Sequence, residues 1–517
     1  AQAILAQFVT HSCSSTYSCT SNKQHIMAAA QKHALVACQC FPPLVKSGGG
    51  VSKRYLSLVR ALIDGLGWQV SLLTPVDVRC SKEPDVERWL SAGSLHYLPA
   101  RGVQATSSTD GVGVMLDLMS GVNAGMLLKA RCYDAIFLDD TPWRVVLMLL
   151  ARGLGVPTIV TTHTDVTHME SYKGTVKVMW QMHMLSARVA TVNCATSRVF
   201  GEQLQRDYGM TVRGIWPVCL WAPQFRAEPE VFAEEARSQR DLWLQLLRKQ
   251  GCDPKAIMLN AGRWSAEKRI NLLFDAVPTD CALVIVGDGT SEFADMVSRA
   301  GKESGRCNVL PLRKMLNARE LRVAYAACDL FLSASNFETL GFTIIESFCA
   351  GTPVAIQPAQ GHLEYVKDGV NSWFVNYDDQ AEARSKLARI VASGLDEASL
   401  SKTIPEMAPM AKKFRTSNYA QDLHEALLVP ALGEGEVMSM GGALEFMRRS
   451  MCLAACVFLW ILLWIVTRAT FMTLNDPKFE VLEELGCAIE NTHLKTVPTL
   501  PCLRRRRKVY GAHTRSH

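Results

Sequence analysis

Short apolar runs alternate with helix-forming segments along most of the chain. The run at residues 34–38 leads through a glycine turn into helical spacing over residues 51–63, and further apolar runs lie at residues 69–73 and 135–138. Short runs of this kind are typical of buried strands, and a 3.6-residue period is typical of helices. Strands that alternate with helices build parallel, doubly wound sheets. The pattern therefore predicts the α/β class.

The alternation stops near the middle of the chain and then begins again. Residues 187–192 and 211–217 are predicted as the last strands of a first half, and residues 228–248 as a charged, helix-prone linker. A second series of strands starts at residues 256–260 and includes residues 281–286. Two α/β halves of this kind are expected to face each other across a cleft.

An uncharged stretch near the C-terminus breaks the alternation. Residues 451–467 contain no charged side chain and are flanked by Arg448, Arg449 and Arg468. Their number equals the lower limit of roughly 17 residues for a membrane-spanning helix. We therefore predict a transmembrane helix over residues 451–467. Its orientation stays open because arginines lie on both sides.

Composition adds little to this picture. The 517 residues are 48% hydrophobic and 20% charged, which is ordinary for a globular enzyme, and the formal net charge is only +6. Part of this charge lies in the basic run of residues 504–508, so nucleic acid is not an expected partner. The seventeen cysteines include no CxxC pair, so no metal is expected.

The N-terminal end has the composition of a targeting segment. No Asp or Glu precedes Asp64, and residues 1–32 form an extension rich in Ser, Thr and Gln. An acid-poor extension is typical of targeting peptides. The alternative is that Met27 is the true start of translation.

A glycine turn follows the first predicted strand. Gly48, Gly49 and Gly50 stand directly before the first predicted helix. Glycines let backbone N–H groups approach an anion at a helix N-terminus, which suits a phosphate. A simple turn without a ligand is the alternative interpretation.

Charged side chains follow several of the predicted strands. His163 comes directly after a strand of the first half, Arg263 and Lys268 follow the first strand of the second half, and Glu338 and Glu346 follow a later one. Ligands bind at the carboxyl edge of parallel sheets. The cations can neutralise a diphosphate, and the carboxylates can accept hydrogen bonds from hydroxyl groups. Together these residues predict a site for a sugar nucleotide.

Two further residues complete this candidate site. Gly341 and Phe342 lie between the two glutamates, where a loop leads into a helix. Their backbone amides are expected to face the phosphates of the donor.

The spacing of these residues resembles that of a known enzyme family. Gly262-Arg263-x4-Lys268 and Glu338-x7-Glu346 are similar to motifs of the retaining glycosyltransferases with the GT-B fold, family four. Within that family, the segment from Glu338 to Phe342 resembles the sulfoquinovosyltransferases of sulfolipid synthesis, as does His163-Thr164.

The resemblance implies part of the domain plan. It implies two doubly wound Rossmann-like domains facing a cleft, the GT-B fold, with residues 33–222 on the acceptor side and residues 223–432 on the nucleotide-sugar side. The rest of the plan comes from the sequence itself, with a linker at residues 433–450 before the transmembrane helix and a basic tail at residues 468–517; a C-terminal spanning helix is unexpected for the sulfolipid enzymes.

The resemblance also implies an activity. It implies retaining transfer from a UDP-sugar, UDP-sulfoquinovose among the candidates, to a lipid such as diacylglycerol, without a metal or other cofactor. Arg263 and Lys268 would contact the diphosphate, and Glu346 the ribose. His163 and Glu338 would lie at the transferred sugar as the catalytic residues. The implied location is a membrane, that of the chloroplast for a sulfolipid enzyme and otherwise the ER or Golgi.

Three departures from the family pattern leave the donor open. Lys314 replaces a glycine, Cys219-Leu220-Trp221 replaces Gly-Val-Asp, and Gln360-Gly361-His362 replaces a double glycine. The alternatives are a mannosyl- or glucosyltransferase with another acceptor, an inactive nucleotide-sugar-binding membrane protein of this fold, and a sugar-nucleotide epimerase.

Overall fold

A computed structural model gives the fold of most of the chain. It describes residues 31–38, 41, 49–74, 77–99, 102–104, 114–116, 133–139, 144–165, 167, 176–219, 222–289, 291–303 and 307–437, together with residues 447, 449–452, 454, 455 and 458.

The first half of the chain forms a seven-stranded sheet. The described residues of this half contain nine strands, seven of them in the sheet: β1 (His33–Ala37), β2 (Gln69–Thr74), β3 (Leu95–Pro99), β4 (Gly102–Gln104), β5 (Val114–Leu116), β6 (Ala135–Leu138), β7 (Thr158–Thr162), β8 (Val192–Ala195) and β9 (Gly214–Ile215). The sheet order is β3-β2-β1-β6-β7-β8-β9, and all its pairs are parallel. Strands β4 and β5 form a separate antiparallel pair.

Helices connect these strands as expected for a doubly wound sheet. They are α1 (Gly49–Arg60), α2 (Pro84–Ser91), α3 (Arg144–Leu154), α4 (Val176–Val189) and α5 (Arg198–Tyr208). Because α4 extends to Val189, the predicted strand at residues 187–192 is wrong, and the strand begins only at Val192.

The second half repeats the plan with six parallel strands. They are β10 (Ile257–Trp264), β11 (Ala282–Gly289), β12 (Val309–Arg313), β13 (Leu330–Ser333), β14 (Val354–Ile356) and β15 (Trp373–Phe374), in the order β12-β11-β10-β13-β14-β15. The predicted GT-B arrangement of two Rossmann-like sheets is thus confirmed. The two sheets lie within the predicted ranges 33–222 and 223–432.

The helices of the second half cover both faces of its sheet. They are α6 (Ala233–Lys249), α7 (Asn271–Ala276), α8 (Ser291–Glu303), α9 (Ala318–Ala327), α10 (Phe342–Cys349), α11 (His362–Tyr365), α12 (Gln380–Ser393) and α13 (Glu397–Thr416), and the C-terminal helices α14 (Tyr419–Leu423) and α15 (Val429–Val437) follow them. The predicted linker at residues 228–248 is therefore mostly helix α6, and it packs on the core of the second domain through Trp243 and Leu247.

The chain then returns to the first domain. Tyr419, Leu423 and Leu427 are buried in the core of the first domain together with β1 and β2. The indole Nε1 of Trp216 donates a hydrogen bond to the hydroxyl of Tyr419 over 2.8 Å. The C-terminal helices therefore connect the two domains by packing as well as by sequence.

The predicted transmembrane helix stays a prediction. Among the described residues, no helix is long and apolar enough to cross a membrane. Most of the segment 451–467 lies outside the described residues, as does the basic tail at 468–517.

The Trp216–Tyr419 hydrogen bond leads to a stability prediction. We expect Tyr419→Phe to lower the free energy of unfolding by about 1–3 kcal/mol, because the buried indole N–H loses its acceptor. The measurement is urea-induced unfolding followed by tryptophan fluorescence.

A matched variant controls for the loss of a hydroxyl group. Tyr97 is half-buried, and its hydroxyl has no hydrogen-bond partner in the part of the chain that the structure describes. We expect Tyr97→Phe to change the free energy by less than about 0.5 kcal/mol. Equal effects of the two substitutions would contradict the role of this hydrogen bond.

Candidate active site

Two neighbouring strands of the second sheet bring a cation and a carboxylate together. Lys268 follows β10, Glu338 follows β13, and these two strands pair in parallel. The ammonium group of Lys268 donates a hydrogen bond to Oε1 of Glu338. Both side chains are partly exposed, at 30% and 19%. Burial raises the pKa of Glu338, but the neighbouring positive groups, Lys268 first among them, together outweigh this effect, so the net pKa lies below the ordinary value.

The second predicted cation has a local partner. Nη2 of Arg263 lies 2.5 Å from Oε1 of Glu267. Arg263 is therefore near the same strand end as Lys268, but its guanidinium is held by a carboxylate of the same turn. It must leave Glu267, or share it, in order to bind a diphosphate.

Glu346 lies where the two domains meet. It is buried in α10, and its Oε2 accepts a hydrogen bond of 3.2 Å from the hydroxyl of Tyr325. Its Oε1 lies 3.8 Å from Nζ of Lys53, which belongs to α1 of the first domain. Burial lowers the pKa of Lys53, and Glu346 only partly offsets this. The predicted ribose-binding carboxylate thus contacts the first domain as well.

His163 belongs to the first domain and also contacts the second domain. It follows β7 and is buried, and its Nε2 lies 3.2 Å from the hydroxyl of Tyr55. Its backbone carbonyl accepts a hydrogen bond of 2.7 Å from Oγ1 of Thr339, the neighbour of Glu338. Burial lowers the pKa of His163 well below its ordinary value, so the imidazole is neutral at pH 7.

The glycine turn is placed against the start of α10. Gly49 and Gly50 are the first residues of α1, and Gly48 lies outside the described residues. A Cβ atom added at Gly50 would lie 3.1 Å from Cδ2 of Phe342, so the absence of a side chain allows this close approach. Gly341 precedes α10 with φ +78°, a conformation that favours glycine. The structure thus brings two helix N-termini together across the domain boundary.

The altered double glycine supports the Glu338 loop. The side-chain Oε1 of Gln360 accepts a hydrogen bond from the backbone N–H of Glu338 over 3.2 Å, and the N–H of Gly361 donates to the carbonyl of Glu338 over 2.6 Å. A Cβ atom at Gly361 would lie 2.6 Å from the backbone of Leu340, so a glycine is needed there. Gln360, which stands where the family has a glycine, therefore adds a side-chain hydrogen bond to the Glu338 loop.

The other departures lie in different surroundings. Lys314 is 60% exposed and forms an ion pair of 2.6 Å with Glu320, whose carboxylate also caps α9. Cys219 is buried, and Trp221 lies outside the described residues. His362 donates from Nδ1 to the carbonyl of Gln357 over 2.7 Å, and its buried Nε2 has no partner among the described residues.

Several residues of this site escaped the sequence analysis. They are Lys53, Arg54, Tyr55, Thr339 and His362. One signal was available for the first two, because the first turn of α1 contains no acid and is followed by two cations. A helix N-terminus normally attracts negative side chains, so cations there point to an anion. The contacts of Thr339 had no sequence signal.

A second buried histidine lies behind His163. Nε2 of His183 and Oγ1 of Thr162 share a hydrogen bond of 2.9 Å, and burial lowers the pKa of His183 to about 4. The unfolded chain would bind this proton near pH 6.5, so the unfolded state gains protons first on acidification. The histidine therefore contributes stability above pH 6.5, and this contribution is lost as the pH falls from 6.5 to about 4.

This shift predicts a pH dependence of stability. We expect His183→Gln to weaken the loss of unfolding free energy between pH 7 and pH 4 by about 3 kcal/mol, because glutamine cannot be protonated. The measurement is thermal unfolding at a series of pH values. His424→Gln, at a partly exposed histidine of the C-terminal helices, is the control. Parallel pH profiles for wild type and His183→Gln would refute the prediction.

Two family models match successive parts of the chain. Residues 49–215 match the glycosyl transferase 4-like domain, and residues 247–407 match the glycosyl transferases group 1. The first match covers the first sheet from β2 onward, and the second covers the whole of the second sheet. The expectation that the chain carries the two domains of a glycosyltransferase is thus confirmed.

Three curated relatives match part of the chain. A GDP-mannose-dependent alpha-mannosyltransferase of Mycobacterium tuberculosis is 30% identical over 42% of this chain and 53% of its own length. The sulfoquinovosyl transferase SQD2 of Arabidopsis thaliana is 25% identical over 47% of each chain. An alpha-monoglucosyldiacylglycerol synthase of Streptococcus pneumoniae is 26% identical over 54% of this chain and 62% of its own. The chain spans about half the length of the first two relatives.

A solved structure supports the fold. The crystal structure of Anabaena Alr3699/HepE in complex with UDP and glucose superimposes with a TM-score of 0.54 and 18% identity, over 77% of this chain and all of the other. At this identity the similarity concerns the fold alone.

Proposed function

We propose that this protein is a retaining glycosyltransferase that moves a sugar from a nucleoside diphosphate sugar to a lipid. One observation carries the proposal: the Lys268–Glu338 pair lies at the carboxyl edge of the second sheet, and Thr339 beside it is hydrogen-bonded to His163 of the first domain. A cation and a carboxylate therefore lie at the domain boundary, where the backbone of His163 contacts the residue next to Glu338. Matches of both domains to glycosyltransferase models support this assignment.

The main electrostatic requirement of this reaction is to stabilise the negative charge on the departing diphosphate. In the proposed step, the bond between the anomeric carbon and the phosphate oxygen breaks, and its electron pair leaves with the nucleoside diphosphate. Lys268 turns from Glu338 toward the phosphate, and Arg263 turns from Glu267. Once in contact with the phosphate, these cations stabilise the charge that develops on the leaving group. No metal is required in this proposal.

The two predicted catalytic residues act on the sugar. Glu338, ionised at neutral pH, accepts hydrogen bonds from sugar hydroxyl groups once Lys268 has moved. His163 is neutral and can exchange hydrogen bonds with the transferred sugar without adding a positive charge beside it. A new bond forms between the acceptor oxygen and the anomeric carbon, and the acceptor proton passes to the leaving phosphate.

Retention is proposed to occur by attack on the same face. The double displacement of retaining glycosidases uses two carboxylates about 5 Å apart that flank the bond being broken. Glu346 does not suit this role, because Tyr325 and Lys53 hold its two oxygens. The leaving phosphate, which takes the acceptor proton, guides the attack in this proposal. Glu346 binds the ribose hydroxyls of the nucleotide instead.

The donor is proposed to be a UDP-sugar, with UDP-sulfoquinovose as the first candidate. The resemblance of the Glu338–Phe342 segment and the relative named sulfoquinovosyl transferase support this choice. The relative named as GDP-mannose-dependent supports an alternative, a mannosyltransferase. A panel of UDP- and GDP-sugars separates these two.

A lipid acceptor and membrane attachment are supported by the helical residues after α15. Met447, Met451 and Phe458 are exposed at helical spacing, so they share one apolar face. The other side contacts the first domain, because Arg449 lies against Gly155 and Cys452 packs on the core behind α3. We propose that this segment, continued by the apolar residues up to 467, holds the protein on a membrane of the chloroplast, or else of the ER or Golgi.

The relative named as a monoglucosyldiacylglycerol synthase supports diacylglycerol as the acceptor. The direct test is incubation of the full chain with a panel of UDP- and GDP-sugars and lipid extracts, with mass detection of the glycolipid product. Turnover of no donor would refute the proposed function. Product without any acceptor would indicate an epimerase instead.

We expect Lys268→Ala and Glu338→Gln each to reduce kcat/KM by about 100-fold or more, because each removes a group that acts in the transition state. Released UDP or GDP provides the measurement. Lys255→Ala is the matched control, since Lys255 is 72% exposed and pairs with Asp280 at the other end of β10. Wild-type activity of both site variants would contradict the assigned roles.

A further inference from the structure

Arg54 is a buried cation at the boundary between the domains. It lies on α1, one helical turn after Gly50, and is only 5% exposed. Its guanidinium lies between an aromatic ring of the first domain and one of the second. Its Cζ lies 5.6 Å from the ring of Trp216 and 5.8 Å from that of Phe342.

No negative charge compensates this guanidinium among the described residues. Its Nη1 is buried without a hydrogen-bond partner, and no described carboxylate forms an ion pair with it. Glu346, the acid of α10 at this boundary, pairs with Lys53. Two aromatic faces offset part of the cost of burying the charge, but they satisfy none of its N–H donors. A buried charge without a partner lowers the stability of the folded protein, so Arg54 is expected to be destabilising when no anion is bound.

The surroundings add further positive potential. Helix α1 starts at Gly49 and α10 at Phe342, and neither has an acidic residue in its first turn. Each N-terminus carries the positive end of a helix dipole and free backbone N–H groups. Arg54 therefore lies where two anion-binding helix ends converge.

We propose that Arg54 binds the terminal phosphate of the donor diphosphate and holds it as the leaving group. This inference rests on the proposed function and adds a residue of the first domain to the donor site. Arg263 and Lys268 are both paired with carboxylates before the donor binds. Arg54 is thus the cation that can receive the phosphate without first breaking an ion pair.

The test compares ligands that differ in phosphate number. Binding of UDP, UMP and uridine is measured by calorimetry with wild type, Arg54→Met and Arg54→Lys, and GDP with GMP and guanosine replaces this series if GDP is the nucleotide bound. We expect Arg54→Met to weaken diphosphate binding by about tenfold or more, monophosphate binding much less, and nucleoside binding not at all. Arg54→Lys should lie between, because it keeps the charge but loses the planar fork of donors.

Arg322 offers a matched control. It is fully buried on α9, its Nε, Nη1 and Nη2 have no partner among the described residues, and its Cζ lies 5.3 Å from the ring of Phe232. Arg322→Met therefore removes a similarly buried and unpaired charge at a place distant from the domain boundary. It should leave diphosphate binding unchanged.

The unfolding temperature without nucleotide separates binding from a structural role. Arg54→Met should unfold at the same or a higher temperature than wild type, because an uncompensated charge is removed. A structural residue would instead lower this temperature. Should Arg54→Met fail to fold, Arg54→Lys decides the matter through its diphosphate affinity.

Two failures can be told apart. Wild type that binds neither UDP nor GDP would reject the proposed function and this inference together. Wild type that binds a diphosphate, with unchanged affinity in the Arg54 variants or with equal losses for diphosphate, monophosphate and nucleoside, would overturn this inference alone.

Discussion

The contact between Gly50 and the ring of Phe342 sets how closely the two domains approach. A Cβ atom at position 50 would lie 3.1 Å from the ring, so any other residue would require the ring to shift, and glycine lets the start of α1 lie against the start of α10 without this shift. The remaining contacts across the boundary follow from this approach. They include the hydrogen bond from Thr339 to His163, the Lys53–Glu346 pair and the placement of Arg54 beside Phe342. The candidate site is therefore a property of the two domains together.

Charge is unevenly distributed around this boundary. Arg263, Lys268 and Lys53 each face a carboxylate, whereas Arg54 faces two aromatic rings. A diphosphate would meet two helix N-termini and an unpaired guanidinium first, and could then draw the other cations from their partners. Sites that hold such costly arrangements are expected where function requires them. Glu338, released from Lys268, would then be available to the sugar.

Much of the fold was predictable because strand and helix periods differ clearly in the sequence. The edge residues were predictable for the same reason: parallel strands end at one edge, so residues after β10 and β13 must lie close together. The strand at 187–192 was misassigned because Ala187 and Val189 are apolar residues of α4. The helical pattern of residues 412–427 also predicts one closing helix, whereas the structure has a break at Ser417, and the side chain of Asn418 caps the next helix.

The roles within the site were less accessible to sequence reasoning. Spacing cannot show which residue across the boundary meets a given side chain, so Tyr55 beside His163 and Lys53 beside Glu346 emerged only from the structure. The most direct test of a donor site shared by both domains is hydrogen exchange of the full chain with and without a saturating nucleoside diphosphate. We predict slower exchange at residues 50–54 of α1 and at residues 342–345 of α10 at the same time. Protection in only one domain, or away from both helix N-termini, would contradict this account.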